Sequence, residues 1–306
     1  MATKPSDHDA SLQSTLKSLV YLTKPRLTAL LALTSFVGAL AAYNGDRTML
    51  FTLVVAVLFS CMGTNALTCY IDKDMDTIME RTMNRPLPTK RIGPQSALAF
   101  GSILLASGVL LAACINVYVV SWALIGSALV LSYNKWFKKA TPYSILIASP
   151  GGAAPLLGAY SAMTGAVISI QPLLLALLIV FWTPLHIWSI ALSYKEDYGR
   201  AGVPMLPVVR KDRSVVRSIA LFAALYIADT FALFLMLEPS WVCLLIVAMI
   251  NYPLMKSLFQ VFFNDSVMAS LRLFKLSSPH LGGIFILYLV LSTRSSFVWL
   301  FVNSLR

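Results

Sequence analysis

Two aspartates four residues apart, Asp72 and Asp76, are well placed to do chemistry together. In a helix, this spacing puts two side chains on one face, about 5–6 Å apart. Two carboxylates at that distance repel each other unless a cation lies between them, and their hard oxygen atoms suit Mg²⁺, which commonly bridges to substrate phosphates. Arg81 and Arg85 follow closely, and guanidinium groups bind phosphate oxygens in bidentate geometry. The segment therefore fits a diphosphate carried on a hydrophobic tail.

The same charges allow two other interpretations. One is a solvated loop whose charges form internal salt bridges, and the other is the ion-binding site of a transporter. A transporter places ionisable residues near the middle of the membrane. The apolar segments of this chain contain few such residues apart from His186 and Asp229, which ranks the transporter last.

The composition is that of an integral membrane protein. Of the 306 residues, 58% are hydrophobic and 12% are charged, and the mean hydropathy is +0.76, whereas soluble domains carry about 25% charged residues. Apolar runs near the ~20 residues that cross a bilayer predict an all-α integral membrane protein with nine transmembrane helices in a single bundle. The predicted helices are 25–44, 48–70, 95–114, 117–136, 142–163, 170–192, 216–237, 240–262 and 279–302. The predicted organisation is an N-terminal tail, 1–24, one membrane domain, 25–302, and a C-terminal tail, 303–306.

The basic residues predict the orientation. With nine spans and a cytoplasmic N-terminus, all 24 Lys and Arg residues fall on the cytoplasmic side except Arg47, Arg294 and Arg306, as the positive-inside rule requires. Anionic lipid accounts for the net charge of +11 without a nucleic-acid partner. The N-terminal segment resembles neither a signal peptide nor a mitochondrial transit peptide, so we expect a prokaryotic plasma membrane.

A second acidic group follows the sixth predicted span. It contains Glu196, Asp197 and Asp212. The first acidic group, which contains Asp72 and Asp76, follows the second predicted span. Four spans separate the two groups, so both emerge on the same side of the membrane. We therefore expect a shared polar cavity at the cytoplasmic face.

Three blocks of the sequence resemble one family. The segment "DKDMDTIMERTMNRPLP" resembles the D-x-D-x-D-x-x-M-x-R-T-x-x-R-P signature of the protoheme IX farnesyltransferases, which belong to the UbiA-type intramembrane prenyltransferases. Residues 133–165, with "YNKWFKKATP", and residues 181–209, with "FWTPLHIWS", "KEDY" and "AGVPMLPVV", are similar to further blocks of that family. The resemblance implies the UbiA-type prenyltransferase fold.

The resemblance also implies roles for individual residues. Asp72, Asp76 and Asp197 match the acidic motifs that bind Mg²⁺ and the prenyl diphosphate, and are the expected catalytic and metal-binding residues. His186 matches a family histidine that we expect to contact the iron or a propionate of haem. The expected substrate-binding residues are Asn65, Arg81, Arg85, Tyr133, Lys138, Lys139, His186, Lys195 and Tyr198.

Two positions depart from the pattern. Thr68 stands where an Asn is expected, although its hydroxyl still offers one oxygen. Ser193 stands where the broader superfamily has a carboxylate, a feature shared with the protoheme IX farnesyltransferases. The departure at Ser193 therefore weighs against members that act on quinones or lipids.

The implied activity is transfer of a farnesyl group from farnesyl diphosphate to a vinyl group of protoheme IX (haem B), with addition of water. Mg²⁺ is the expected cofactor, and haem B is a substrate. The alternative is a UbiA-type enzyme that prenylates a quinone precursor or a lipid. Beyond its substrates and the lipid bilayer, the family suggests a haem A synthase or a terminal oxidase assembly as a partner.

Overall fold

The structure, a computed structural model, describes residues 7–42, 46–167, 169–264 and 267–304. Every regular element in these ranges is a helix, as predicted. The helices are α1 Asp7–Leu22, α2 Pro25–Leu40, α3 Arg47–Asp76, α4 Pro94–Ala113, α5 Val117–Ser132, a π-helix Tyr133–Phe137, α6 Lys138–Ala140, α7 Ser144–Thr164, α8 Ile170–Ser193, α9 Lys195–Arg200, α10 Leu206–Val209, α11 Asp212–Leu237, α12 Trp241–Asn264 and α13 Val267–Ser304.

Eight helical segments of the described chain are long and apolar enough to cross a membrane, where the sequence predicted nine. The remaining predicted span, 25–44, corresponds to α2, which has 16 residues and is therefore about 24 Å long, shorter than the ~30 Å hydrocarbon core. Its last two predicted positions, 43 and 44, lie outside the described residues. The final helix, α13, begins at Val267, well before the predicted start at 279.

Local sequence signals explain where several helices begin. The Asp46 side chain accepts a hydrogen bond from the backbone N–H of Met49, 2.9 Å away, and caps α3. Asn116 caps α5 in the same way. Proline occupies the first turn of α2 and of α4. Backbone N–H groups in the first turn have no partner within the helix, so the missing N–H of proline costs no hydrogen bond there.

The N-terminal tail contains a helix that the sequence did not predict. Helix α1 ends at Leu22, whose buried side chain belongs to a small apolar cluster with Ala66, Cys69 and Ile92. The end of the tail is thus packed against α3 and the connection before α4, close to the predicted site.

Helices α3 and α4 approach each other across glycines. A Cβ atom on Gly63 would lie 2.4 Å from the backbone nitrogen of Leu105 and 2.7 Å from the carbonyl oxygen of Gly101. Small residues allow the backbones of membrane helices to pack closely, and this contact is a main source of their association. The close approach fixes α3, the helix that carries Asp72 and Asp76.

We predict that Gly63→Ala destabilises the bundle. The added methyl group overlaps the α4 backbone, which cannot rotate away as a flexible side chain would, and overpacking of this kind costs about 1–3 kcal/mol. The midpoint of thermal unfolding in detergent should therefore fall.

The matched control is Gly282→Ala in α13, where no atom of the described residues lies within 4 Å of the added Cβ. Equal unfolding midpoints for the two variants would contradict the close approach.

Candidate functional site

Helix α3 continues through both aspartates, so the four-residue spacing acts as the sequence predicted. Asn65, Thr68, Cys69, Asp72 and Asp76 are all buried and recur on one face of the helix. This polar face looks into the bundle at the end of α3 that leads into the connection 77–93.

Each aspartate is paired with a cation from another part of the chain. Lys138 Nζ donates to Asp72 Oδ2 at 2.8 Å, and Arg85 Nη1 donates to Asp76 Oδ2 at 2.8 Å. The Asp72 and Lys138 side chains are only 7% and 10% exposed. Burial opposes the charge of Arg85, but the neighbouring Asp76 carboxylate outweighs burial and raises the pKa of Arg85 above its ordinary value. The pairs satisfy the requirement that buried charges be neutralised.

A π-helix brings Lys138 to α3. Residues Tyr133–Phe137 form this wider turn between α5 and α6, and Lys138 follows it directly. Such turns occur frequently at functional sites because they change the direction of the side chains beyond them. Lys138 is consequently buried, whereas Lys139 is exposed to the outside.

A cavity of about 1030 Å³ opens beside this polar face. Its walls reach Ala112 and Val119, at the α4–α5 end of the bundle, and Arg81 lies at the opposite end. Trp182 lines the cavity, while Trp136 is exposed on the surface. Six of the predicted site residues line it: Asn65, Arg81, Arg85, Tyr133, His186 and Tyr198.

Lys24 is a further residue of this site that was not predicted from the sequence. Lys24 lines the cavity, and its Nζ donates to Thr68 Oγ1 at 2.7 Å. Thr68 donates in turn to the carbonyl oxygen of Asn65 at 2.7 Å, so the hydroxyl that replaces the expected Asn has both a donor and an acceptor partner. Burial lowers the pKa of Lys24. A lysine directly before Pro25, at the start of a predicted span, was the available signal.

Asp197 connects the two acidic motifs through the backbone. Its carboxylate accepts hydrogen bonds from the N–H groups of Glu80 and Arg81, both at 3.2 Å, and from the Arg200 guanidinium. Burial raises the pKa of Asp197, but these hydrogen bonds outweigh it and hold that pKa below its usual value. Arg81 is thereby held at the edge of the main cavity.

The carboxylate of Asp197 borders a second, smaller cavity of about 390 Å³. Lys195 lies on this same side, paired with Asp212 at 2.7 Å. Within the described residues, no group of three or more His, Cys, Asp or Glu side chains is close enough to hold a metal ion. The expected role of Asp197 as a metal ligand stays a prediction.

The Asp72 and Asp76 pair fits Mg²⁺. Asp72 Oδ1 is buried and has no hydrogen-bond partner within the described chain, which leaves one acceptor available. Proteins commonly hold Mg²⁺ through one or two carboxylates, and substrate phosphates and water complete its shell. This donor set suits Mg²⁺ bound together with a phosphate-bearing substrate, and the assignment of Asp72 and Asp76 as its ligands stays a prediction.

His186 lies on the α8 wall of the cavity. Its ring stacks on Trp182, with centroids 4.4 Å apart, and contacts Phe274 at 4.3 Å. Its Nδ1 lies 2.6 Å from the hydroxyl of Ser277 in α13. The histidine predicted from sequence thus faces the same cavity as Arg81 and Arg85.

Comparisons with known proteins agree with this geometry. The sequence pattern described as the UbiA prenyltransferase family matches residues 31–278. The protoheme IX farnesyltransferase of Symbiobacterium thermophilum is 38% identical over 221 residues, which cover 71% of this chain and 74% of that protein. The protoheme IX farnesyltransferase of Desulforudis audaxviator is 33% identical over 296 residues, 93% of this chain and 92% of that protein.

Solved structures share the fold. A digeranylgeranylglyceryl phosphate synthase superposes with a TM-score of 0.74 at 19% identity, over 91% of this chain and 99% of that one. A UbiA homologue from Archaeoglobus fulgidus, solved with GPP and Mg²⁺, superposes with a TM-score of 0.64 at 16% identity, over 90% of this chain and 99% of that one.

We predict that Asp197→Asn loosens the connection that carries Arg81. Asparagine has one acceptor oxygen where the carboxylate has two, so at least one of the N–H groups of Glu80 and Arg81 loses its partner. Loss of a hydrogen bond to a charged group lowers the free energy needed to open this part of the backbone, and opening should become roughly tenfold more frequent or more. Hydrogen–deuterium exchange of residues 77–85, measured without Mg²⁺ or substrate, should accelerate accordingly.

Glu196→Gln is the control, because it removes the neighbouring, exposed carboxylate. Unchanged exchange in Asp197→Asn, together with weakened Mg²⁺ binding, would favour the metal role over the backbone anchor.

Proposed function

The chain belongs to the UbiA prenyltransferase family, and we propose that it transfers a farnesyl group from farnesyl diphosphate to a vinyl group of protoheme IX. Diphosphate leaves as the C–O bond of farnesyl diphosphate breaks, and the vinyl group bonds to the farnesyl carbon. Water then adds to the resulting carbocation and loses a proton, which gives haem O. The observation that carries this proposal is one cavity with cations at one end and mostly apolar walls along the rest of its length. The relatives named protoheme IX farnesyltransferase, which align with most of the chain, support the choice of acceptor.

The cationic end is suited to the diphosphate. Lys24, Arg81 and Arg85 line the cavity here, and Lys138 is paired with Asp72 just behind it. Cations fixed in place before the reaction stabilise the charge that develops on a departing diphosphate. When bound by Asp72 and Asp76, Mg²⁺ adds Lewis-acid neutralisation of the same charge.

The apolar walls are suited to the farnesyl chain and to the allylic cation formed when its C–O bond breaks. Tyr133 and Trp182 line the cavity, and the faces of aromatic rings stabilise a nearby cation. Mostly apolar walls also keep bulk water from capturing that cation before the vinyl group attacks it. Tyr198 lines the cavity near the same end as Arg81 and completes the predicted substrate-binding set on this side.

The membrane arrangement is part of the proposal. We propose nine spans, with α2 as the short one, a cytoplasmic N-terminus, and a prokaryotic plasma membrane as the location. The distribution of basic residues supports this orientation, and it turns the cationic mouth of the cavity toward the cytoplasm. The product then suits a partner that processes or incorporates modified haem, such as a haem A synthase or a terminal oxidase assembly.

The activity has a direct test. Membranes containing the protein, incubated with haem B, farnesyl diphosphate and Mg²⁺, should yield a more hydrophobic haem on reversed-phase chromatography. Its mass should exceed that of haem B by one farnesyl group and one hydroxyl group.

Reactions without farnesyl diphosphate are the control. If haem B is unchanged while a quinone precursor or a lipid is prenylated, the haem acceptor is wrong and the alternative acceptor class takes its place.

We also predict that Asp72→Asn and Asp76→Asn each lower kcat/KM at least about a hundredfold. Both changes remove a charge that binds Mg²⁺ and positions a cation, and losses of that size are typical when one preorganised electrostatic group is removed. Turnover is measured after size-exclusion chromatography has shown that each variant is folded.

Asp74→Asn is the matched control on the same helix, because Asp74 is exposed and pairs with its neighbour Lys73. Near-normal turnover in both Asp72→Asn and Asp76→Asn would contradict the metal assignment.

A further inference from the structure

The hydrogen bonds around Ser277 fix the proton on His186. Ser277 is 1% exposed, and its hydroxyl donates to the carbonyl oxygen of Phe274 at 2.8 Å. A serine hydroxyl carries one proton, and that proton is used in this bond. With the serine proton in this bond, the 2.6 Å contact with His186 is assigned as a hydrogen bond from His186 Nδ1–H to Ser277 Oγ.

This assignment leaves Nε2 of His186 with a lone pair. Nε2 lies on the opposite edge of the ring from the nitrogen that contacts Ser277, and His186 is one of the residues that line the main cavity. The hydrogen bond made by one ring nitrogen decides which nitrogen is free to bind a metal. The imidazole is thus in the tautomer that ligates metals through Nε2.

The ring is also held in its plane. Trp182 and Phe274 contact it at centroid distances of 4.4 and 4.3 Å, and Trp182 Nε1 donates to the backbone oxygen of Ser277 at 2.9 Å. Ser277 therefore fixes both His186 and one of the two rings beside it. Metal-ligating histidines are typically oriented in this way by a hydrogen bond from their other ring nitrogen.

From this geometry we propose that His186 Nε2 coordinates the iron of the haem acceptor, and that Ser277 is the positioning residue that holds the imidazole in the ligating tautomer and orientation. Nitrogen donates its lone pair to iron, and no proton or electron is transferred. Histidine is a common axial ligand of haem iron, and this bond would fix the porphyrin against the α8 wall. The proposal rests on haem as the acceptor, as inferred above.

The test measures coordination directly. Purified protein in lipid nanodiscs is titrated with ferric haem B, and the visible absorption spectrum reports the axial ligand. The wild type should show an imidazole-ligated haem. His186→Ala should lose that spectrum, and added imidazole should restore it.

The role of Ser277 is tested in the same titration. Ser277→Ala should weaken haem binding at least about tenfold, within the range typical for partners of metal-ligating residues, and Ser277→Thr, which keeps the hydroxyl, should restore it. Ser257→Ala is the matched control, because Ser257 is also a buried serine of the membrane bundle and its hydroxyl has no hydrogen-bond partner among the described residues. A single symmetric peak on size-exclusion chromatography, as for the wild type, shows that each variant is folded.

Each remaining outcome is decisive. If His186→Ala keeps the wild-type spectrum, or Ser277→Ala binds haem like the wild type, the inference is wrong. A wild type that farnesylates haem B alongside either result would leave the proposed function intact. A wild type that neither binds nor modifies haem B would overturn the function and the inference together.

Discussion

The arrangement of this site depends on the neutralisation of two carboxylates buried in an apolar bundle. A buried charge without a partner costs several kcal/mol, roughly the amount lost when one member of a buried pair is removed. Asp72 and Asp76 lie on one helix, but their partners, Lys138 and Arg85, come from the turn after α5 and from the connection 77–93. Three separate parts of the chain must therefore meet at the end of α3. That meeting point is also where the cavity carries its positive charge.

The carboxylates of the two acidic motifs are neutralised by different kinds of contact. The first motif keeps its carboxylates on α3, each bonded to one cation. The second motif uses Asp197 to hold the backbone N–H groups of Glu80 and Arg81, while the adjacent Tyr198 lines the main cavity. The connection that carries the arginines is thus fastened at two points: Arg85 is held by Asp76, and the backbone of Arg81 is held by Asp197 in α9. The cations are positioned before any substrate arrives, which is the condition for electrostatic stabilisation of a departing group.

The sequence predicted those features that depend on residues close together along the chain. The four-residue spacing of Asp72 and Asp76 and the long apolar runs predicted the polar face of α3 and the all-helical bundle, because helical periodicity depends only on near neighbours. The contacts it missed join distant positions. Lys24 and Thr68 are 44 residues apart, and His186 and Ser277 are 91 apart, and such pairs are fixed by how helices pack. Hydropathy also misplaced the start of α13, because Arg272 and Lys275 interrupt the apolar run without interrupting the helix.

Affinity for the isoprenoid substrate and selectivity for its chain length depend on different properties of the cavity. A farnesyl chain that leaves the bilayer for apolar walls gains little free energy, since lipid tails are as apolar as the side chains that replace them. In the proposed function, binding of the isoprenoid substrate then comes chiefly from the diphosphate, which we place at the cationic end near Arg81 and Arg85. Discrimination between chain lengths cannot rest on hydrophobic affinity for the same reason. It must rest on the shape of the cavity, whose walls reach Ala112 and Val119 at the end away from the cations.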